Sequence, residues 1–441
     1  MSIERLTLSP HSLAGRTGSA NGASLDPTTC HGGLKPRDAA AMLRKQLKNA
    51  ARAERRIAAF VPGKLIGPSS EIHASAGPLA GIAWAAKDNI ETSDFPADAG
   101  FPAAPCRGAR RNAPIVQLIT GLGATLIGKS AMAEFALYSP PATRNPLDPR
   151  LTPGGSSSGS AAAVASGQVA FAIGTQTAGS VIRPAAFCGV AAISFSHGLF
   201  SNEGILPLAP SLDTIGVFAA RAQDVARIAH AMLRMPIGKV LPARIAVCEN
   251  WTETPLSSGV RDGFHEAVVR LRQSGVSIVE VELPAPLVSG HRAHMQILGF
   301  EAAHTFDALP ALRRAQASDR LRDYIDECRQ ISKQDYELAQ DKATAARRAY
   351  SDFIQPFDLL VTPSANEFAP DRRAATTGSS IMNRVWTLLS TPAANVPFWP
   401  TGSPLPIGLQ IIGRHRHDLD LVACAAAIER LLGHHWEADI D

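Results

Sequence analysis

Residues 151–190 read LTPGGSSSGSAAAVASGQVAFAIGTQTAGSVIRPAAFCGV. The alanines at 161–165 favour a helix, and Gly167 stands where a glycine commonly ends one. The apolar residues 169–173 then predict a strand that runs into a small-residue turn at 174–180. Because such a turn lets several backbone N–H groups face one point, it can stabilise an oxyanion or a phosphate.

Short apolar runs alternate with helix-like segments on both sides of this stretch. Strands are expected at 81–86 and 124–127, with a helix at 113–122 between them. The same alternation of strand and helix is expected at 244–283. This alternation predicts an α/β fold built around a β-sheet. No internal repeat and no interdomain linker interrupts the pattern, so a single large domain is expected.

The two ends of the chain differ from each other. Residues 1–34 are rich in Ser, Thr, Gly and Asn without periodicity, which predicts a mobile N-terminal arm before a domain at 35–441. A helix is expected to begin near residues 36–38, and its basic outer face is interpreted as solvated. Near the other end, strands are expected at 359–363 and 407–413.

Composition is that of a folded protein without a strong charge. Of the 441 residues, 45 % are hydrophobic and 19 % are charged, which excludes a disordered chain. The net charge of +4 is too small to indicate a nucleic-acid or membrane partner. Neither a secretory h-region nor an apolar run of spanning length is visible, and the six cysteines form no CxxC pair. These features predict a cytoplasmic protein without a disulfide framework or a zinc site.

Three readings of the glycine- and serine-rich stretch compete. A phosphate-binding loop is disfavoured because the pattern GxxxxGK[ST] is absent. Residues 155–159 match the GxSxG elbow of α/β-hydrolases with Ser157 at the centre, but the proline-rich segment 146–153 before them is unsuited to a central strand. The third reading is a serine nucleophile served by a lysine base.

Lysine is the rarer basic residue here, and Lys87 follows an apolar strand directly. Desolvation in such a position disfavours the ammonium, so the neutral amine becomes a general base near neutral pH. Lys129 also follows an apolar run, so position alone does not select Lys87, and a snorkelling surface lysine is the alternative for either one. No serine precedes a lysine by three residues, which excludes an SxxK arrangement.

Several motifs lie in a stretch of family similarity that runs from about residue 36 to residue 435. They are PLAGI at 78–82, KDNI at 87–90, GKSAMAEF at 128–135, TRNP at 143–146, TPGGSS at 152–157, GTQTAGS at 174–180, SLDT at 211–214 and LPIGLQ at 405–410. With these motifs the chain resembles the amidase signature family of serine hydrolases. The resemblance implies a central mixed β-sheet covered by helices on both faces.

The resemblance also implies a catalytic triad of Lys87, Ser156 and Ser180. Ser180 would be the nucleophile, and Ser156 would be the bridging serine, which the family holds by a cis peptide bond. Neutral Lys87 would draw a proton through Ser156 from Ser180, and an acyl-enzyme would form without any metal or organic cofactor. Backbone N–H groups would hold the oxyanion, namely those of Thr177, Ala178, Gly179 and Ser180.

Arg183 stands three residues after the implied nucleophile, whereas the commoner family arrangement has an arginine two residues after it. The version here is similar to malonamidase-type enzymes, in which the arginine holds a substrate carboxylate. A guanidinium there suits a short carboxylated amide such as malonamate. The structural alternative is an arginine that pairs with a buried acid or with carbonyls behind the loop.

Other features separate this chain from its relatives. Residues 194–197 replace a Lys-Pro pair that related enzymes often carry near the rim of the site, and His197 is interpreted as a surface residue. Gln176 stands where the glutaminase subunits of tRNA-dependent amidotransferases usually have Asp, which argues against that branch. The HxxH pair His291 and His294 lacks a following acid and is not interpreted as a metal site.

The expected partner is a small-molecule amide, with no nucleic acid and no membrane. Homodimers are frequent in the family, which favours a homodimer. A general aliphatic or aryl amidase, an esterase and a catalytically silent scaffold remain as alternatives.

Overall fold

The computed structural model describes residues 36–67, 70, 75–101, 111–137, 139–235 and 242–433. The predicted mobile arm at 1–34 lies outside the described residues.

Helices and strands alternate along the described chain. The helices are α1 (Pro36–Ile57), α2 (Pro114–Gly121), α3 (Ser158–Ala165), α4 (Ile182–Cys188), α5 (Ala222–Leu233), α6 (Ser258–Gln273), α7 (Ala285–Asp307), α8 (Ala311–Ala315), α9 (Asp319–Cys328), α10 (Lys333–Phe353), α11 (Arg384–Leu388) and α12 (Asp418–Leu431). The strands are β1 (Phe60–Leu65), β2 (Ala83–Lys87), β3 (Thr125–Ser130), β4 (Phe171–Gln176), β5 (Ala191–Ser194), β6 (Thr214–Ala219), β7 (Arg244–Val247), β8 (Ser277–Glu280), β9 (Leu359–Pro363), β10 (Ala393–Phe398) and β11 (Ile407–Ile412).

These strands form one mixed sheet in the order β1-β3-β2-β4-β6-β5-β10-β11-β9-β7-β8. Strands β3, β2 and β4 are mutually parallel, as are β9, β7 and β8. The remaining neighbours pair antiparallel. The prediction of a single α/β domain with a central mixed sheet is therefore confirmed.

The two faces of the sheet differ in side-chain size. Trp84 and Phe171 stack on one face, in the core that also contains residues of α2, α5, α6 and α12. On the other face, Ala83, Ala85 and Ala172 contact residues of α1, α3 and α4. Because side chains alternate along a strand, small residues at every second position leave room for the alanine-rich α3 to approach closely.

Strand β4 is longer than expected, because Gly174, Thr175 and Gln176 continue it instead of opening the turn. The reason is the pairing with β6, which extends as far as Gln176 opposite Thr214. The turn is therefore confined to residues 177–180.

The carboxyl ends of parallel strands meet at one edge of a sheet, where open α/β sheets commonly place their sites. Lys87 ends β2, and the turn 177–180 follows β4, its parallel neighbour. Ser156 lies just before α3 and Ser180 just before α4. The topology thus directs all three predicted triad positions to the same edge.

Two further observations concern the whole described chain. None of its helices combines the length and the apolar character that crossing a bilayer requires. Cys188, Cys248 and Cys328 are buried free thiols.

We expect Gly159→Ala to destabilise the protein by about 2 kcal/mol, the usual cost of overpacking a core. Gly159 lies in the first turn of α3, and an added Cβ would stand 2.1 Å from the carbonyl oxygen of Ala59 and 2.4 Å from the backbone nitrogen of Ala131. The urea midpoint of unfolding measures the effect. Gly121→Ala is the control, since Gly121 ends α2 with no atom within 4 Å of its added Cβ. Equal midpoints for the two variants would contradict close packing of α3.

Candidate active site

Lys87 is fully buried at the end of β2. Its Nζ lies 2.8 Å from Ser156 Oγ, 2.8 Å from Thr175 Oγ1 and 3.1 Å from the Thr175 carbonyl oxygen. No carboxylate in the described part of the chain forms an ion pair with it. The alternative of a snorkelling surface lysine therefore does not apply to Lys87.

Burial lowers the pKa of Lys87 to about 7, while the Asp213 carboxylate opposes this shift and the Arg183 guanidinium adds to it. A neutral amine has two N–H groups and one lone pair. The two oxygens of Thr175 accept the N–H groups, which leaves the lone pair for the hydroxyl of Ser156. Thr175 also links this site to Asn89, whose Nδ2 donates to Thr175 Oγ1 at 3.1 Å.

Lys129 differs from Lys87 in its neighbours and not in its burial. It is also fully buried, and burial lowers its pKa to about 8. However, its Nζ donates to the carbonyl of Ile90 and lies 3.7 Å from Asp88 Oδ1. Position along the chain does not show which of the two lysines is the base, but their contacts distinguish them. Lys129 is ion-paired, whereas Lys87 contacts a serine hydroxyl.

The segment around Ser156 is held on both sides. The peptide bond between Gly155 and Ser156 is cis. Ser157, the elbow candidate, is buried, and its Oγ donates to the Thr175 carbonyl at 3.2 Å. Its N–H donates to the Ser180 carbonyl at 3.4 Å, which ties the Ser156 segment to the turn. No strand leads into Ser157, as the elbow reading would require.

In the turn 177–180 the carbonyls are bonded and the N–H groups are not. Its first three carbonyls each accept a hydrogen bond: Thr177 from His294 Nε2 at 2.8 Å, Ala178 from Thr387 Oγ1 at 2.9 Å, and Gly179 from the Arg183 N–H at 3.0 Å. Across the described ranges, none of the four backbone N–H groups of this turn donates to a protein acceptor. Such a cluster of donors fits a developing negative charge.

Gln176 and Asp213 fix the two ends of the turn. Gln176 Oε1 accepts the N–H groups of Val181 and Ile182 at 3.0 and 3.1 Å. Asp213 Oδ1 accepts from the hydroxyl of Thr177, and its other oxygen accepts from backbone N–H groups of the segment before it. Burial raises the pKa of Asp213 to about 6.

Ser180 itself is 7 % exposed, and its hydroxyl has no hydrogen-bond partner among the described residues. As the last residue of the turn, it is the most exposed of the three predicted triad residues. Ser156 contacts Lys87 directly, and Ser180 is tied to the segment of Ser156 through backbone.

Arg183 lies in the first turn of α4 and is buried. Its Nη2 donates to the Gly155 carbonyl at 2.6 Å and to Thr377 Oγ1 at 3.3 Å, and its Nε donates to the Thr377 carbonyl at 2.9 Å. These contacts agree with the alternative to substrate binding that the sequence left open, in which Arg183 binds carbonyls behind the loop.

Sequence reasoning missed several residues of the site, namely Asn89, Thr175, Asp213, His294, Thr377 and Thr387. The motifs 87–90, 174–180 and 211–214 contain the first three, so a role for them was open to inference. The other three come from distant segments and carry no local signal.

The two histidines of the HxxH pair have separate environments. His291 is half-buried and its Nδ1 contacts the Val288 carbonyl, whereas His294 is buried against Thr177. In the described part of the chain, no three His, Cys, Asp or Glu side chains are grouped so as to hold a metal ion.

Comparison with known proteins identifies a family whose members the chain resembles. The model of the family described as Amidase matches residues 65–422. The chain is 30 % identical over 413 residues to a glutamyl-tRNA(Gln) amidotransferase subunit of Anaeromyxobacter dehalogenans, with 80 % of this chain and 83 % of the relative covered.

Two solved structures share the fold. One is the corresponding amidotransferase subunit from Thermotoga maritima, with a TM-score of 0.77, 25 % identity, and coverage of 92 % of this chain and 96 % of that chain. The other is described as an amidase, with a TM-score of 0.76, 25 % identity, and coverage of 89 % and 96 %.

We expect His294→Ala to slow labelling of Ser180 by a fluorophosphonate about tenfold, because the Thr177 carbonyl loses its donor and the turn loosens. Since a carbonyl only accepts, His294 Nε2 must carry the proton, and burial lowers the pKa of His294 to about 4, which keeps the ring neutral. His294→Gln should recover part of the rate, because its amide also donates. The labelling rate constant is measured alongside the melting temperature. Equal rates for the Ala and Gln variants would show that the donor does not matter.

Proposed function

Because the chain belongs to the amidase family and is an amide hydrolase, we propose that it cleaves a small carboxamide to a carboxylate and ammonia or an amine, with Ser180 as nucleophile. The observation that carries this proposal is the contact of buried Lys87, without an acid partner, with Ser156 at 2.8 Å. A lysine whose pKa lies about 7 is partly neutral at physiological pH and can act as a base.

The reaction begins with proton transfer along the triad. Neutral Lys87 accepts the proton of Ser156 as Ser156 accepts the proton of Ser180, whose oxygen then attacks the amide carbon. The N–H groups of the turn 177–180 stabilise the oxyanion, and the loss of one such donor typically raises the barrier by about 3 kcal/mol. The proton returns to the leaving nitrogen, and water activated by the same relay hydrolyses the acyl-enzyme.

The contacts of Arg183 support a substrate class. Its Nε and Nη2 bind Thr377 and the Gly155 carbonyl, so a bidentate contact with a substrate carboxylate would require Nη2 to leave the Gly155 carbonyl. We therefore favour neutral carboxamides over malonamate, with Arg183 as a positioning residue that holds the peptide before Ser156.

A second candidate is the glutaminase subunit of a tRNA-dependent amidotransferase, which the sequence relatives favour. The contacts of Gln176 argue against this function, because both ends of its amide form hydrogen bonds. Oε1 accepts two N–H groups at the start of α4, and Nε2 donates to Thr387 at 3.2 Å. An Asp at this position offers no donor to Thr387. The ratio of activity on glutamine to activity on simple amides, measured on the isolated chain, distinguishes the two functions.

Ser180→Ala and Lys87→Ala are expected to reduce amide hydrolysis to background, because one removes the nucleophile and the other the base. Ser157→Ala is the matched control, since it removes only a hydrogen bond to the Thr175 carbonyl and should reduce kcat less than tenfold. Ammonia release is measured, with circular dichroism as the check on folding. Full activity of the Ser180→Ala protein would refute the assignment of the nucleophile.

The pH profile of kcat/KM should rise through about 7 and reach a plateau, because only the neutral Lys87 is a base and protonation removes it at lower pH. Asp213→Asn removes a charge that raises the pKa of Lys87, so the rising limb should move to lower pH. Arg183→Gln removes a charge that lowers this pKa, so the limb should move to higher pH. Shifts of both variants in the same direction would exclude Lys87 as the titrating group.

Arg183→Ala should lower kcat for malonamate, malonamide, glutamine, a short aliphatic amide and an aryl amide by similar factors, because the residue positions Gly155 and does not contact the substrate. Initial rates across this panel measure the effect. A selective loss on malonamate would instead restore the carboxylate clamp.

A further inference from the structure

A cavity of about 740 Å³ lies beside the segment that follows α11. Its walls come from the second half of α10, the segment 389–391 after α11, the segment 414–417 before α12, and His197. None of its lining residues belongs to the proposed triad or to the oxyanion turn.

The wall of this cavity is basic. It contains two arginines and three histidines and no aspartate or glutamate; these are Arg347, Arg414, His197, His415 and His417. In the described part of the chain neither arginine forms an ion pair. Three acids lie close to lining residues, and each accepts hydrogen bonds: Glu301 from Ser211, Asp418 from Ser196, and Asp420 from one nitrogen of His417.

Backbone carbonyls, and not acids, hold the two arginines in place. Arg347 Nε donates to the Leu388 carbonyl at 3.1 Å, and Arg414 Nη2 donates to the Phe357 carbonyl at 2.7 Å. His415 Nδ1 contacts the Ser390 carbonyl at 2.8 Å. These carbonyl contacts fix both guanidinium groups and leave their positive charges without an ion pair, so an anion in the cavity would gain preorganised donors.

Burial lowers the pKa of the half-buried Arg347 guanidinium, and no charged neighbour opposes the shift. A partly desolvated cation without an acid is costly, and a bound anion offsets that cost. The exposed hydroxyl of Ser351 adds a further donor to the same wall.

We propose that this cavity is a second ligand site, separate from the hydrolytic centre, for a small oxyanion that carries two or more negative charges. Arg347 and Arg414 are its main cations. Phosphate and carboxylate groups share this chemistry and are distinguished by experiment.

Binding is tested by isothermal titration of the full chain with pyrophosphate and with citrate at constant ionic strength, with chloride as reference. We expect saturable binding of at least one anion by the wild type, and a Kd about tenfold weaker or more for Arg347→Gln. Preference for pyrophosphate or for citrate identifies the ligand group. No saturable binding of either anion at millimolar concentration overturns the proposal.

Arg348→Gln is the matched control, because Arg348 is the next residue of α10 and does not line the cavity. It removes the same charge and should leave the Kd within about twofold. Equal weakening by Arg347→Gln and Arg348→Gln would indicate only a general surface charge and would overturn the site.

A second variant tests the proposal independently in case Arg347→Gln does not fold. Ser351 is exposed on α10 and lines the cavity, so Ser351→Glu adds a carboxylate to the wall without removing a buried contact. It should weaken anion binding by repulsion while hydrolysis of a neutral amide stays unchanged. Unchanged binding by Ser351→Glu would also contradict the proposal.

Discussion

The site depends on the burial of Lys87 without a carboxylate partner. Removing an ammonium from water is costly, and the cost falls when the group loses its proton, which brings its pKa to about 7. The neighbours match this neutral form, because Thr175 offers two acceptors and Ser156 offers a hydroxyl. Strand β2 enforces the burial, since it lies between the parallel strands β3 and β4 with every residue of its length buried.

The turn after β4 depends on hydrogen bonds to its carbonyl groups. A turn that presents its N–H groups to a substrate must satisfy its carbonyls elsewhere, and here α7 supplies His294 and α11 supplies Thr387. Asp213 holds the side chain of Thr177 from a third direction. Three distant segments thus fix one short turn, which preorganises its donors before any charge develops.

The sequence predicts much of this arrangement and misses a definable part. The fold class and the family follow from the alternation of strands and helices and from motifs near Lys87, Ser156 and Ser180, because local patterns encode them. The roles of His294 and Thr387 are not predictable from the sequence, because they arise from contacts across 117 and 209 positions. The predicted end of β4 comes too early in the chain, because pairing with β6 overrides the preference of Gly174 and Thr175 for a turn.

Arg183 shows most clearly why proximity in sequence does not establish specificity. A guanidinium three residues from a proposed nucleophile suggests a substrate clamp, yet here it binds the Gly155 carbonyl, immediately before Ser156. Thr377, which lies 194 positions along the chain, completes its contacts. Arg183 therefore joins the segment of Ser180 to that of Ser156, and under the proposed mechanism it would affect the rate of hydrolysis by positioning these segments.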